Sequence, residues 1–458
     1  MLDRSDELRE LYERENQASP TMLHRGQARF AYRLAERYAG RLIHVHGLGW
    51  HAWDGRRFVL DEHGAAKRAV LDELRRGLSE SLFDKELRND VRKCESSSGV
   101  SGVLDLAAAL EVFATAVSDL DADPHLLNCA NGTLDLRTLE LSPHNPSDRI
   151  TKVTRAAYDP DVKPGAWHEF LEAVLPDPAV RGYVQRQIGV ALLGKVVEHV
   201  LPIWTGTGAN GKSTAVNALC WALGDYASTA EPDLLLHKTY AHPTGEMDLL
   251  GRRLVVVSET DEGRKLAEAT MKRLTGGDKI KARRMRQDFV EFAPSHTAIL
   301  ITNHLPSVSG DDPAVWRRIR VVPFEVVIPE HERDPGLPER LQGAADEILA
   351  WAISGWRQYC ESGLAEPEPV LSATGAYKAD CDAVGRFIDE CCVTSSPAVK
   401  ATTTQLFEAW ERWRVQEGAP EMSRKAFGQA LDRHGYPVTD KTRDGRWRGG
   451  IAVKGDEA

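Results

Sequence analysis

The sequence predicts an α/β fold built on a largely parallel sheet, with a mixed α+β unit before it and a small α/β unit after it. Two observations carry this. The segment GTGANGKST, residues 206–214, lies between an apolar strand-like run, HVLPIW, and a helical run, TAVNALCWALG. Two further apolar strand runs, RLVVVS at 253–258 and TAILIT at 297–302, are separated by helical stretches, the alternation that builds parallel layers. At 458 residues the chain is too long for one compact domain.

Composition narrows the class. With 42% hydrophobic and 28% charged residues, it is that of an ordinary globular protein. No apolar run is long enough for a transmembrane helix, so no membrane partner is expected. The charged start, MLDRSDELRELYEREN, lacks the apolar centre of a secretory signal. Seven cysteines without a CxxC pair are expected in a reducing cytoplasm and point away from a zinc site or a disulfide framework. A net charge of −10 argues against nonspecific coating of nucleic acid, although local basic stripes remain.

Residues 1–160 read as the first unit, with a helix at 27–39. Strand-like pieces follow at 42–46 and 50–60, with turn signals at Gly47, Gly49 and Asp54-Gly55. Helices are expected at 65–79 and 103–116, then turn-rich short strands. Residues 161–365 form the central unit: a helical pair within 165–196, the strands above, and a helix over 338–359. Residues 366–395, in continuation of LAEPEPVLS, read as a linker. Residues 396–458 give helices at 404–417 and 423–433 and a hairpin at Asp444-Gly445.

Gly206 and Gly211 frame four residues and precede Lys212 and Ser213, the P-loop pattern G-x-x-x-x-G-K-[ST]. The backbone from Gly206 through Thr207, Gly208, Ala209, Asn210, Gly211, Lys212 and Ser213 to Thr214 is expected to cradle the phosphates of ATP at a helix N-terminus. Lys212 would neutralise the β- and γ-phosphates, and the Ser213 hydroxyl would bind Mg2+. The second strand runs into Glu259, which would hold the metal through water or polarise the attacking water; Asp261 and Glu262 leave the choice of acid open. Asn303 ends the third strand, where an amide can orient water or touch the γ-phosphate. WRRIRVVPF places Arg317 and Arg318 ahead of another apolar strand. Arginine donated from a neighbouring subunit stabilises charge on a transferring phosphoryl group. That role would put the site between subunits and require a ring; a surface salt-bridge cluster is the alternative.

Residues 271–286 carry seven Lys or Arg against one Asp. Gly276-Gly277-Asp278 marks a turn, and the alternation from Lys279 reads as a hairpin strand. Lys279, Lys281, Arg283 and Arg284 suit a DNA backbone, with an ordinary solvated face as the alternative. In the last unit, Arg446 and Arg448 flank Trp447 on a basic hairpin beside the 423–433 helix. Helix plus basic hairpin suits duplex DNA; a docking domain with Trp447 in its core is the alternative.

The order NGKST, strand ending in Glu, LTGGD with a basic stretch, strand ending in TN, then WRRI and PF resembles the superfamily-three replicative helicases. More narrowly it resembles the helicase portion of phage and plasmid primase–helicases, and residues 128–160 are similar to the segment ahead of the helicase in that family. The C-terminal unit resembles the family's winged-helix tail. The resemblance implies an AAA+-like core assembled as a hexameric ring that moves single-stranded DNA through a channel. It assigns Lys212 and Ser213 to nucleotide and Mg2+, Glu259 to the acid, Asn303 to the sensor and Arg317 or Arg318 to the inter-subunit finger, with Lys279, Lys281 and Arg283 lining the channel. Two departures stand out. Glu259 is followed by Thr260 where relatives often carry a second acid. The first 150 residues show no Asp-x-Asp triad and no zinc-binding cysteine cluster, so primer synthesis is not claimed for them, and a separate primase or replication protein is a candidate partner. An origin-binding initiator that melts DNA locally and a DNA-triggered regulatory ATPase are the rival functions.

Overall fold

Five parallel strands form the centre of the molecule, in the order Ile319–Pro323, Leu201–Thr205, Thr297–Thr302, Leu254–Ser258, Ala227–Ala230. The computed structural model describes residues 23–231, 234–236, 245–258, 264–283, 289–308, 312–443 and 445–455. The three inner strands are largely apolar because both their faces are covered, while the edge strands admit Arg320, Ser228 and Thr229. Side chains alternate across the sheet: Leu254 and Val256 join Trp167, Tyr183 and Trp351 on one face. Val255 and Val257 join Met271, Ile280 and Val315 on the other. Since all five strands run the same way, their C-terminal ends share one edge, the usual place for a ligand in such a layer.

The helical pair expected at 165–196 is Ala166–Val174 and Pro178–Ala191. Asp177 caps the second helix by accepting from Ala179 N at 2.7 Å. Ala345–Ser362 lies across it at very close range. Glycine makes that approach possible: a Cβ on Gly355 would sit 2.0 Å from Gln185 O, and one on Gly189 would sit 2.2 Å from Trp356 N.

The segment expected as a linker is instead two helices, Glu368–Cys381 and Ala383–Cys391. The prolines that signalled a linker sit at the start of the first helix, where a missing N–H costs nothing. That helix covers the open edge of the sheet, and Thr374 Oγ1 accepts from Val321 N at 3.0 Å. The second helix gives Phe387 to a core shared with Trp410, Trp413, Phe427 and Ile451. The same unit holds helices Thr403–Glu417 and Arg424–Arg433 and a three-stranded sheet in the order Lys400–Thr402, Gly445–Gly449, Val438–Thr442.

At the other end of the chain, Gly26–Tyr38, Ala65–Glu80, Lys85–Cys94 and Ser97–Ala108 pack around Phe30, Val70, Val91 and Val103. The last of these runs earlier than the expected 103–116, because Ser96 caps it through Gly99 N at 3.0 Å. A four-stranded sheet flanks this bundle. A second small sheet, Leu126–Cys129, Gly132–Asp135 and Glu140–Ser142, joins it to the central layer. Its Asn128 is fully buried and donates to Arg56 O and Lys152 O, both at 2.9 Å. Arg253, buried at the head of its strand, donates to Leu126 O and Leu192 O and lies over the Tyr226 ring. No helix among the described residues is long and apolar enough to cross a membrane.

Gly355→Ala is expected to cost about 1–3 kcal/mol or more, since its methyl group meets backbone rather than a yielding side chain. Gly375→Ala, in a helix with nothing within 4 Å of the added carbon, is expected to be neutral or stabilising by up to about 1 kcal/mol. Chemical denaturation of both variants checks this; equal stability would refute the close-crossing account.

Candidate functional site

The Gly-rich loop follows the Leu201–Thr205 strand and opens the Lys212–Leu223 helix. Its path is set by contacts that only glycine permits. Gly211 has φ +81°, and a Cβ there would meet Val174 Cγ1 at 2.5 Å. Gly206 has φ +156°, with Phe324 O 2.2 Å from where a Cβ would stand. Ala209, a non-glycine residue, is held at φ +49° and accepts from Ile328 N at 2.8 Å. Asn210 is buried and donates to Phe324 O at 3.2 Å. The loop is therefore fastened to the chain just beyond the Ile319–Pro323 strand.

Lys212 is only 3% exposed. Its Nζ donates to Gly206 O at 2.8 Å, Asn210 Oδ1 at 3.0 Å and Asn303 Oδ1 at 3.3 Å. All three acceptors are neutral. Burial without a counter-charge pulls the ammonium pKa down to about 8. The first N–H groups of the helix point into the same place, so two sources of positive potential converge where no described carboxylate answers them. Thr207, Ala209 and Ser213 are exposed around this point, with Gly208 and Thr214 half-buried.

Asn303, which follows the third strand, is brought to Lys212 and accepts from its Nζ. Glu259, with Asp261 and Glu262, lies outside the described residues, as does Arg284. Among the described residues no cluster of His, Cys, Asp and Glu could hold a metal ion. The two arginines of the WRRI segment differ. Arg318 donates to Ala314 O at 2.7 Å and is half-buried. Arg317 is exposed and makes no salt bridge with any described residue.

The basic stretch divides in two. Lys272 and Arg273 are occupied by carboxylates: Lys272 by Asp312, Arg273 by Glu246 through two bonds. The expected hairpin is present as Ile280–Ala282 paired with Val290–Phe292. Lys281 and Arg283 lie 5.5 and 4.8 Å from the centre of the Phe289 ring, which is itself 50% exposed. Lys279 reaches across to Glu291 at 2.9 Å with both groups well exposed, a weak tie.

In the last unit Arg446 is exposed, and Trp447 is half-exposed with Lys400 5.2 Å from its ring centre. Trp447 is thus no core residue. Arg448 corrects the expectation placed on it. It is 2% exposed, with bonds to Asp432 Oδ1 at 2.6 Å, Thr403 Oγ1 at 3.0 Å, Gly428 O at 2.9 Å and Tyr436 O. These partners enclose the guanidinium although it shares a strand face with the exposed Arg446, so it cannot meet a phosphate backbone. The roles of Asn210 and Phe324 in shaping the loop were also missed. The only signal for Asn210 was its place inside the motif.

Residues 31–176 match the family described as D5 N terminal like, and residues 204–318 match a family of unknown function, DUF5906. The chain is 25% identical over 416 residues to "Putative helicase L207/L206" of Acanthamoeba polyphaga mimivirus, covering 84% of this chain and 43% of that protein. It is 24% identical over 376 residues to "Putative helicase 121R" of Invertebrate iridescent virus 3, covering 74% and 40%. It is 25% identical over 398 residues to "Putative primase C962R" of African swine fever virus, covering 78% and 41%. The chain therefore spans about two fifths of the length of these relatives. Among solved structures, the apo C-terminal region of NrS-1 is 14% identical with a TM-score of 0.41, covering 64% of this chain and 77% of that one. Residues 31–176 thus carry a D5 N terminal like unit, and the chain is similar over most of its length to viral proteins named putative helicase and putative primase.

Proposed function

We propose that the chain is an ATP-dependent DNA helicase or translocase that serves replication of a phage, prophage or plasmid. The observation that carries this is Lys212: a buried cation at a helix N-terminus, on the C-terminal edge of a parallel sheet, with only neutral oxygens to answer it. Such a place favours a polyanion of phosphate type. In this proposal residues 161–365 are a P-loop AAA+-like core, residues 1–160 its N-terminal domain, and residues 396–458 a winged helix. The helices at 368–391 would link core and tail.

ATP fits the loop because Lys212 can turn from its three neutral acceptors to β- and γ-phosphate oxygens without leaving the site. Mg2+ fits as well: with phosphate oxygens and water as its other ligands it needs few protein groups, and the exposed Ser213 hydroxyl and Glu259 would supply them. When bound, the ion neutralises charge on the phosphates during transfer. Asn303 would orient the attacking water. Arg317, exposed and unpaired among the described residues, is better placed than Arg318 to reach a neighbouring subunit's nucleotide. This makes a closed ring, six subunits in the family's manner, the working form. Lys279, Lys281, Arg283 and Arg284 would follow the backbone of single-stranded DNA, with Phe289 able to stack on a base. The tail, with Arg446, would hold duplex DNA.

The deciding experiment is ATP hydrolysis with and without single-stranded DNA at two salt concentrations. Stimulation that fades with salt is expected. Lys212→Ala is expected to abolish turnover with an ordinary melting transition; unchanged turnover would remove the site assignment.

The depressed pKa of Lys212 gives a pH signature. The free protein loses this charge as pH rises through about 8, and bound phosphate restores it. Nucleotide binding between about pH 8 and the ordinary lysine range near 10 should therefore take up a proton and weaken as pH rises. Calorimetry in two buffers of different ionisation enthalpy reads this directly, and proton release or no exchange would contradict it.

The two hairpin arginines should separate. Arg448→Ala is expected to lower stability by about 2–4 kcal/mol, since buried acceptors lose their donor. Arg446→Ala is expected to melt normally, to weaken DNA binding and to reduce its salt slope by about one unit. Melting curves with DNA titrations at several salts check both.

A further inference from the structure

The helix Glu268–Leu274 stands between two parts of the proposed motor. Its C-terminal end leads through Thr275, Gly276, Gly277, Asp278 and Lys279 into the first strand of the basic hairpin. Its side carries Lys272, whose ammonium is bonded to Asp312 Oδ2. The other oxygen of that carboxylate, Oδ1, accepts from Ala314 N at 2.8 Å and caps the one-turn helix Pro313–Trp316. Arg317 is the C-cap residue of this turn, with its N bonded to Pro313 O at 3.0 Å. A single carboxylate thus fixes the start of the turn that carries Arg317 and ties it to the helix that carries the hairpin.

Both sides of this tie are packed into the same core. Met271 and Leu274 share one apolar cluster with Val315 and Trp316, and Trp316 meets the Tyr377 ring edge-on at 5.3 Å. Arg273 is held by both oxygens of Glu246, and His199 Nδ1 lies 2.8 Å from Thr275 O just ahead of the strand that feeds the Gly-rich loop. A four-residue helix has little rigidity of its own, so its direction is set by what grips it. Lys272 and Asp312 are 31% and 41% exposed, which makes their bond one that can break and re-form during a working cycle.

We propose that the Lys272–Asp312 ion pair transmits DNA occupancy of the basic hairpin to Arg317, making both residues positioning residues for ATP hydrolysis in the neighbouring subunit. This inference rests on the helicase function proposed above. Neither residue touches nucleotide or DNA in that scheme; each acts through Arg317. Loss of the pair should therefore remove the stimulation of turnover by DNA.

The test measures ATP turnover by the full chain, with and without single-stranded DNA, for wild type, Lys272→Ala, Lys272→Arg and Asp312→Asn. Asparagine keeps the cap on Ala314 N and discards only the charge. Lys272→Ala and Asp312→Asn are expected to keep the DNA-free kcat and the KM for ATP while losing about fivefold or more of the DNA stimulation. Lys272→Arg should restore it, and the Lys272→Ala, Asp312→Asn double variant should be no worse than either single one. A stimulated wild type with an equally stimulated Lys272→Ala overturns the coupling role alone. DNA-free turnover that falls in step with melting temperature makes the pair a structural contact and overturns it too. Wild-type turnover indifferent to DNA overturns this inference and the helicase function together.

Discussion

A lysine ammonium buried among neutral oxygens is an unfavourable thing to build, and much of the central layer is arranged to hold one. Lys212 reaches its position because Gly206 and Gly211 let the loop pass against Phe324 O and Val174, contacts that a side chain would forbid. Asn210 serves twice, donating to Phe324 O and accepting from Lys212. Asn303 arrives from a different strand, so the lysine also reports on the register of the sheet. Desolvation weakens the charged form, as the pKa of about 8 shows. An anionic ligand would reverse that penalty, so in the proposed function the cost of burying the ammonium would favour phosphate.

Arg253 shows the same device put to structural use. It too is buried, and it too meets only neutral groups: Leu126 O, Leu192 O and the face of Tyr226. A guanidinium keeps its charge in such a place and spreads several donors over fixed carbonyls. An ammonium does neither so readily. The chain thus uses arginine where the small sheet must be fixed to the central layer, and lysine where the charge should respond to a ligand. Asn128 completes the joint, since its amide and backbone bind Arg56, Lys152 and Tyr226 at once.

Much of this was legible in the sequence. Continuous apolar runs marked the Leu254–Ser258 and Thr297–Thr302 strands, because a strand covered on both faces has no polar side to confuse the pattern. The glycines of the loop were legible because the backbone there needs what only glycine supplies. The Ala227–Ala230 strand was not, since four small residues carry no periodicity and pair only because a neighbour offers an edge. The helix Glu368–Cys381 was hidden by prolines that end helices in their middle and start them at their first turn. Within the site, Asn303 could be placed by strand order, whereas the gap between Arg317 and Arg318 could not. Which arginine turns back to Ala314 O depends on the path of one short turn.

Basic residues pose the hardest case, because composition counts charges and function depends on which remain available. Lys272, Arg273 and Arg448 look in the sequence like neighbours of Lys281, Arg283 and Arg446. In the fold the first three are held by carboxylates and carbonyls. Lys281 and Arg283 instead lie against one exposed aromatic ring, a contact that orients them and leaves their charge toward solvent. An acidic chain can therefore carry a concentrated basic surface without spreading positive charge over the whole molecule. In the proposed function selectivity would follow from that economy: a polyanion would be attracted at the hairpin and at Lys212 and repelled elsewhere by the net charge of −10. The paired cations are what join these two places, since Lys272 and Arg273 fix the helix that leads into the hairpin to elements of the central layer.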